Sequence, residues 1–359
     1  MTHPTEKLNR EFSWIDRYFR PLAAGFAGSF NLGDDAALLS VPKGYEQIVT
    51  ADALVAGIHF FADDPPGLIA KKALRTNLSD LAAKGARPWL YNLCLALPKN
   101  TTEPWLVQFS QGLAEDQAAF KIHLLGGDTV SSPNQMNGQS GALMIAITAF
   151  GLVRTGGMIR RKGAKYGDEI WVSGTIGDAA LGLEVILQEK NGAHANPFAL
   201  ASEHQRFLRN RYLLPEPRVA LAQFMTEVSL LATQPLIHAG LDVSDGLLAD
   251  FGHMARESGG DILININQIP LSQAAQSALA SGKTDMARLI TGGDDYELAL
   301  AASAANHPIL ANLAAAHSDV KLTCIGRVTP PRDPTAPQCR LIAPDGCEIS
   351  VAHSGFQHF

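Results

Sequence analysis

Pro66-Gly67-Leu68-Ile69-Ala70-Lys71-Lys72-Ala73-Leu74-Arg75-Thr76-Asn77-Leu78-Ser79-Asp80-Leu81-Ala82-Ala83-Lys84 repeats its apolar residues at the spacing of an α-helix. Ile69, Ala73, Leu74, Leu78, Leu81 and Ala82 share one face. Prolines precede the run and Gly85 follows it, the usual asymmetry of a helix start and stop. The spacing therefore predicts a helix over Pro66 to Lys84. Asp80 stands in its interior between Leu78 and Leu81, where an aspartate is poorly placed as a cap. Asn77 lies one turn earlier, so both polar groups can leave from one face, as ligands or as a solvated stripe.

Working outward, the chain alternates strand-like and helix-like segments. Strands are predicted at Asp35–Val41 and Glu46–Val55, then at Leu90–Leu97, Ile122–Leu125 and Ala142–Val153, with a helix at Glu103–Phe120. Around Thr155 to Lys165 periodicity is lost among glycines and arginines, which predicts a boundary near Thr155 and two domains, 1–155 and 156–359. The second half predicts strands at Glu169–Ser173, His238–Val243, Asp261–Ile266, Glu297–Ala301 and Lys321–Val328. Helices are predicted near Asp178–Gln188, Pro217–Ala232, Asp245–Glu257 and Ser272–Ala280, one more lies between the last two strands, and Glu189–His204 reads as a polar connection.

The 359 residues suffice for two cores, and a charged fraction of 18% is that of an ordinary folded chain. A net charge of −6 offers no basic field for nucleic acid or an anionic membrane, so an anionic ligand must be neutralised by local groups or metal ions. Met1 to Trp14 lacks the apolar core of a secretory signal, and no apolar run is long enough to span a bilayer; a cytoplasmic location is expected. Cys94, Cys324, Cys339 and Cys347 form no CxxC pair, so spacing indicates neither a zinc site nor a disulfide framework. Cys94 and Cys324 read as small core residues.

The chemistry lies in short acidic motifs: Gly33-Asp34-Asp35, Thr50-Ala51-Asp52, Ser79-Asp80, Gly127-Asp128-Thr129, Asp242-Val243-Ser244-Asp245 and Gly292-Gly293-Asp294-Asp295. Aspartates supply hard oxygens suited to magnesium, and glycines beside them let a backbone approach a ligand. Any one Gly-Asp pair alone reads more readily as a turn or a helix cap than as a ligand site. As a set they describe a site for several magnesium ions, since clustered carboxylates repel unless cations intervene. Arg160, Arg161, Lys162 and Lys165 form the one concentrated basic cluster, a phosphate clamp or a solvated linker. Phosphate-loop, dinucleotide-turn and protein-kinase motifs are absent, as are HExxH and GxSxG. Two motifs also echo between halves, Asn77–Leu81 with Asp242–Leu247 and Gly126–Thr129 with Gly292–Asp295, which suggests a duplication.

In their order these motifs resemble the thiamine-monophosphate kinase family of the aminoimidazole-ribonucleotide synthetase superfamily. The match runs through Asn31-Leu32-Gly33-Asp34-Asp35, Asp52 to Phe60, Lys72 to Ala86, Gly126 to Thr129, Arg161 to Asp168, Asp242 to Leu247, Gly292 to Leu298 and Gly355 to Phe359. The resemblance implies an α+β, two-domain PurM-like fold, a homodimer paired through the N-terminal sheet, and a cleft between the domains. It implies transfer of the γ-phosphoryl of ATP, in one in-line step, to thiamine monophosphate, giving thiamine diphosphate. Asp35, Thr50, Ala51, Asp52, Asp80, Asp128, Asp242 and Asp245 match magnesium positions. Gly127, Asp128, Arg161 and Ser244 match ATP contacts, and His59, Asp294 and Phe356 the thiamine phosphate end. Asp80, Asp128 and Arg161 are the residues implied to carry catalysis. Ala51 stands where the family carries Thr or Ser, which leaves a backbone carbonyl for a metal. Asp294 stands where Glu is common and Phe356 where Trp or Tyr is usual. Relatives that make selenophosphate would carry an early reactive cysteine, whereas no cysteine precedes Cys94. Relatives in hydrogenase maturation would end in cysteine, whereas this sequence ends Gln357-His358-Phe359.

Overall fold

The computed structural model describes residues 12–133, 141–192, 196–231, 234–317 and 320–356. The chain forms two compact units, Met1–Leu81 with Arg87–Gly156, and Ala82–Ala86 with Gly157–Phe359. The last three residues of the resemblance, 357–359, lie outside the described residues, as does Ala232 of one predicted helix.

In the first unit a π-helical turn at Ile15–Phe19 runs into α1 (Arg20–Ala23). There follow β1 (Tyr45–Val55), α2 (Pro66–Ala83), β2 (Arg87–Leu97), α3 (Glu103–Phe120), β3 (His123–Ser131) and β4 (Met144–Arg154). The sheet order is β1-β4-β2-β3, with β2 and β3 parallel and the other neighbours antiparallel. Alternation sorts its side chains. Ile48 and Leu54 of β1, Tyr91, Leu93, Leu95 and Leu97 of β2, and Ile145, Ile147 and Ala149 of β4 are buried on one face. Tyr91 Oη on that face accepts a hydrogen bond from Gln117 of α3, which makes it the helix-covered side. Val49, Val130, Met144 and Cys94 lie exposed on the opposite face, so Cys94 is not the core residue its apolar context predicts.

Two predicted strands differ. Asp35–Val41 forms none: Leu38 is 61% exposed, and the segment joins neither sheet. Its apolar run Ala36–Leu39 has no neighbouring strand to receive the backbone. Strand β3, predicted to stop at Leu125, runs on to Ser131 and carries Gly126-Gly127-Asp128 inside it. Gly127 is required there by packing, since a Cβ would fall 1.8 Å from the Leu93 carbonyl oxygen of β2.

The second unit contains β5 (Glu169–Ser173), α4 (Asp178–Lys190), α5 (Ser202–Leu213), α6 (Val219–Leu231), β6 (Ala239–Asp242), α7 (Leu247–Ser258) and β7 (Asp261–Asn265). It continues with α8 (Gln273–Ala280), α9 (Met286–Thr291), β8 (Leu298–Ala302), α10 (His307–His317), β9 (Leu322–Thr329), β10 (Cys339–Ile342) and β11 (Glu348–Ile349). Its sheet runs β11-β10-β7-β9-β5-β8-β6. One core holds Ile170, Val172, Leu241, Ile262, Ile264 and Ile325 of the sheet with Leu247, Phe251 and Met254 of α7. A second holds Leu181, Val185, Leu208, Ala275 and Leu289 from α4, α5, α8 and α9. Helix α5 escapes the sequence reading because its buried residues, Leu208, Arg211 and Tyr212, are few and one is charged. The motif echo between halves is not structural: Asn77–Leu81 lies inside α2, whereas Asp242–Leu247 bridges β6 and α7. No helix among the described residues is long and apolar enough to cross a membrane.

Candidate active site

The acidic residues of the first unit fall into two groups. Thr50 and Asp52 are two apart on β1, so both leave the helix-covered face with Ile48 and Leu54. Thr50 Oγ1 donates to Asp80 Oδ2 at 2.5 Å, which ties β1 to the interior of α2. One turn before Asp80, Asn77 is fully buried; its Nδ2 donates to the Ala73 carbonyl while its Oδ1 has no hydrogen-bond partner. Ala51 alternates onto the opposite face, and with a methyl side chain only its backbone carbonyl could serve as a ligand atom.

The second group lies on β3, the other outer strand. Register pairs Leu93 with Gly127 and Cys94 with Asp128, which puts Asp128 on the face of exposed Cys94. Three strand spacings separate β1 from β3, about 14 Å. Asp128 instead shares a cavity of about 660 Å³ with Asp34, Asp35, Gly126, Gly127 and Asn92. Asp128 Oδ1 accepts from the Thr129 backbone N–H at 2.8 Å. His59 sits in the turn after β1, where Nδ1 accepts from the Val55 N–H at 3.0 Å, so a neutral ring carries its proton on Nε2.

The second unit brings four of its predicted residues together through the main chain. Asp242 ends edge strand β6, and Ser244, Asp245 and Gly246 lead into α7. The N–H groups of those three residues all donate to Asp250 Oδ2, at 3.0, 3.0 and 3.2 Å. Burial and the nearby Asp245 push the Asp250 carboxyl up to about 7, against the pull of these N–H groups. The Asp294 N–H donates to the Ser244 carbonyl and the Tyr296 N–H to the Val243 carbonyl, each at 2.8 Å. The Phe356 N–H donates to the Asp245 carbonyl at 2.9 Å. Gly293 turns at φ +73°, and a Cβ there would meet the Ser244 oxygen at 2.6 Å. Asp294 itself holds φ 61°, an uncommon state for a residue with a side chain, and its Oδ1 accepts from Tyr296 Oη at 3.1 Å. Phe356 is 52% exposed.

Arg161 is exposed in the loop beside β6, where the Gly240 N–H donates to the Arg160 carbonyl at 2.9 Å. His253 on α7 titrates below its ordinary range through burial, Arg256 and Arg161, with Asp245 opposing. Its imidazole therefore lies within electrostatic reach of both Arg161 and Asp245.

Sequence reasoning missed the support beneath this loop. Glu297 is fully buried and accepts from Ser173 Oγ at 2.6 Å, Arg211 Nη2 at 2.9 Å and Arg218 Nε at 2.6 Å. Its backbone carbonyl accepts the Val243 N–H, and Arg211 also donates to the Asp295 carbonyl. Asp295, fully buried, accepts the Gly177 N–H, and burial holds its carboxyl well above the ordinary range. The available signal was Asp295-Tyr296-Glu297, two acids just before the apolar strand Leu298–Ala302. For Asp250 the only signal was its place as an acid in the first turn of a helix.

The chain matches the AIR synthase related protein family, its N-terminal domain over residues 33–153 and its C-terminal domain over residues 165–336. It is 40% identical to the thiamine-monophosphate kinase of Caulobacter vibrioides, over 88% of this chain and 83% of that one. It is 34% identical to that of Escherichia coli, over 97% and 98%. Among solved structures, the thiamine-monophosphate kinase of Stenotrophomonas maltophilia superposes with a TM-score of 0.71 at 36% identity, covering 88% of this chain and 90% of that one. AaThiL complexed with AMPPCP and TMP gives 0.71 at 26% identity, covering 92% and 97%. Two domain matches in tandem and relatives similar over nearly their full length leave one reading: the chain belongs to the thiamine-monophosphate kinase family of AIR synthase related proteins.

Proposed function

We propose that this chain transfers the γ-phosphoryl group of ATP to the phosphate of thiamine monophosphate, releasing ADP and thiamine diphosphate. The observation that carries the reading is the second-unit loop, where Ser244, Asp245, Asp294 and Phe356 are joined by backbone hydrogen bonds. A relative of the same fold held with AMPPCP and TMP supports it. The acceptor oxygen needs no general base, because a phosphate monoester has a second pKa near ~6 and is ionised at neutral pH. The bond formed joins that oxygen to the γ-phosphorus, and the bond broken is the one to the β–γ bridging oxygen. The obstacle is the approach of two polyanions.

The donor set fits a hard cation: carboxylates and a hydroxyl, with a partnerless buried amide oxygen at Asn77 beside them. Asp35, Thr50, the Ala51 carbonyl, Asp52, Asp80, Asp128, Asp242 and Asp245 would hold magnesium, which when bound neutralises phosphate charge and stabilises a loose transition state. Gly127, Asp128, Arg161 and Ser244 take the nucleotide, with the Arg161 guanidinium donating to phosphate oxygens. His59, Asp294 and Phe356 take the acceptor. His59 offers its Nε2–H to the phosphate, and Phe356 offers a ring face to the cationic thiazolium. We assign residues 1–155 to ATP and magnesium binding and dimerisation, and residues 156–359 to completing the catalytic set. The uncovered sheet face of the first unit, with Val49 53%, Val130 51% and Met144 41% exposed, supports a homodimer in which a second copy shields it. A cytoplasmic enzyme is the corresponding setting.

Incubating the purified chain with ATP, magnesium and thiamine monophosphate is expected to yield thiamine diphosphate and ADP in equal amounts. Hydrolysis of ATP to phosphate with no thiamine diphosphate would overturn the reading.

A further inference from the structure

Strands β5 and β9 pair antiparallel, with Trp171 opposite Cys324 and a bulge at the step from Ile170 to Trp171. Glu169 and Trp171 are two apart, so the Glu169 carboxylate, the Trp171 ring and the Cys324 thiol leave one face of the sheet. The first residue of α10, His307, lies over that face with its ring centroid 4.9 Å from that of Trp171. Its Nδ1 is 2.8 and 3.0 Å from the two oxygens of Glu169. One donor atom each from Glu169, His307 and Cys324 lie within 4.8 Å of one another.

We propose that Glu169, His307 and Cys324 form a three-ligand site for a zinc-class divalent cation, separate from the residues assigned to phosphoryl transfer. Zinc bonds of about 2.0–2.3 Å in a tetrahedron need donors roughly 3.3–3.8 Å apart, so side-chain rotation of about 1 Å closes the set. Mixed nitrogen, sulfur and oxygen donors favour zinc over magnesium, which demands oxygen. A cavity of about 540 Å³, lined by Glu169 and Cys324 with Asn265, Gln268 and Arg327, leaves room for water as fourth ligand.

On binding, the thiol proton leaves to solvent, and the ring gives up the Nδ1 proton it donates to Glu169, so that a neutral imidazole protonated on Nε2 presents Nδ1 to the cation. The ion would join β5, β9 and the start of α10, elements whose residues at 169 and 307 stand 138 positions apart. That separation is why cysteine spacing gives no sign of the site.

The test uses the full chain, stripped with chelator and titrated with cobalt(II) as a spectroscopic probe. One equivalent is expected to bind with a thiolate-to-cobalt band in the near ultraviolet, to resist excess magnesium and to be displaced by zinc. Cys324→Ser should abolish the band, and Glu169→Gln or His307→Ala should weaken binding at least ~tenfold. Cys94→Ser and Cys347→Ser, at two exposed cysteines, should change nothing. Zinc should also raise the Tm of the unsubstituted protein and not that of His307→Ala. Absence of a stoichiometric thiolate band in the unsubstituted protein, or a band that survives Cys324→Ser, overturns the proposal.

Discussion

The two units present their acids in different ways. In the first, three of the candidate carboxylates sit on regular elements, Asp52 on β1, Asp80 inside α2 and Asp128 on β3, with Asp35 in the irregular segment before β1, and strand alternation sends Asp52 and Asp128 to two faces of one sheet. In the second, Ser244, Asp245 and Asp294 sit on loops held by backbone hydrogen bonds and by one carboxylate, Asp250. Elements fix direction through periodicity, whereas a loop needs its own scaffold. The first unit should therefore tolerate changes that keep shape and lose function, and the second should lose loop geometry and stability together.

The sharpest break in that comparison is Glu297→Ala, which removes the buried partner of Arg211 and Arg218. Breaking a buried ion pair costs about 3–5 kcal/mol, so denaturant titration should show a large loss of stability. Hydrogen exchange should place the loosening in Val243–Asp245 and Asp294–Tyr296. Unchanged stability would show that the loop does not depend on this network.

The counterpart in the first unit is Asp80→Asn. The amide oxygen can still accept from Thr50 Oγ1, so the Tm should hold while turnover falls by at least ~2 kcal/mol of transition-state stabilisation. A kcat near that of the unsubstituted enzyme, with the same magnesium dependence, would return Asp80 to a merely structural hydrogen bond.

Legibility in the sequence follows the same division. The helix carrying Asp80 is set by local periodicity and is found within a residue of its observed end. The burial of Asn77 is not, because it depends on what packs against that face. The strand predicted at Asp35–Val41 fails since pairing partners are non-local, and β3 is cut short because Gly126-Gly127 reads as a turn when the Leu93 backbone is what requires a glycine. Asp250 and Glu297 escape because a carboxylate that holds up a loop looks like any acid until its donors are seen. Motif order carried the family; it could not reveal that Asp52 and Asp128 occupy opposite edges of a sheet.

A smaller effect should separate the two substrates. Arg161→Ala should raise the KM for ATP by roughly ten- to a hundredfold, the worth of one charge-assisted hydrogen bond of about 1.5–3 kcal/mol, with little change for thiamine monophosphate. Arg161→Lys should rescue in part, since an ammonium lacks the planar fork. Equal effects on both substrates would mark the loop as structural. The smallest effect belongs to Phe356, whose backbone N–H is already used on Asp245. Phe356→Ala should raise the KM for thiamine monophosphate several-fold, the loss of a cation–π contact of roughly 0.5–2 kcal/mol, whereas Phe356→Trp should hold or lower it. A drop in Tm with unchanged acceptor affinity would make the ring a tail anchor.

Direct transfer between two phosphates is the claim on which these roles depend. With ATP carrying radioactive phosphorus at the γ position, a single turnover on thiamine monophosphate should place the label in the terminal phosphate of thiamine diphosphate, in step with ADP. Label recovered as inorganic phosphate, or retained on the protein, would contradict the account.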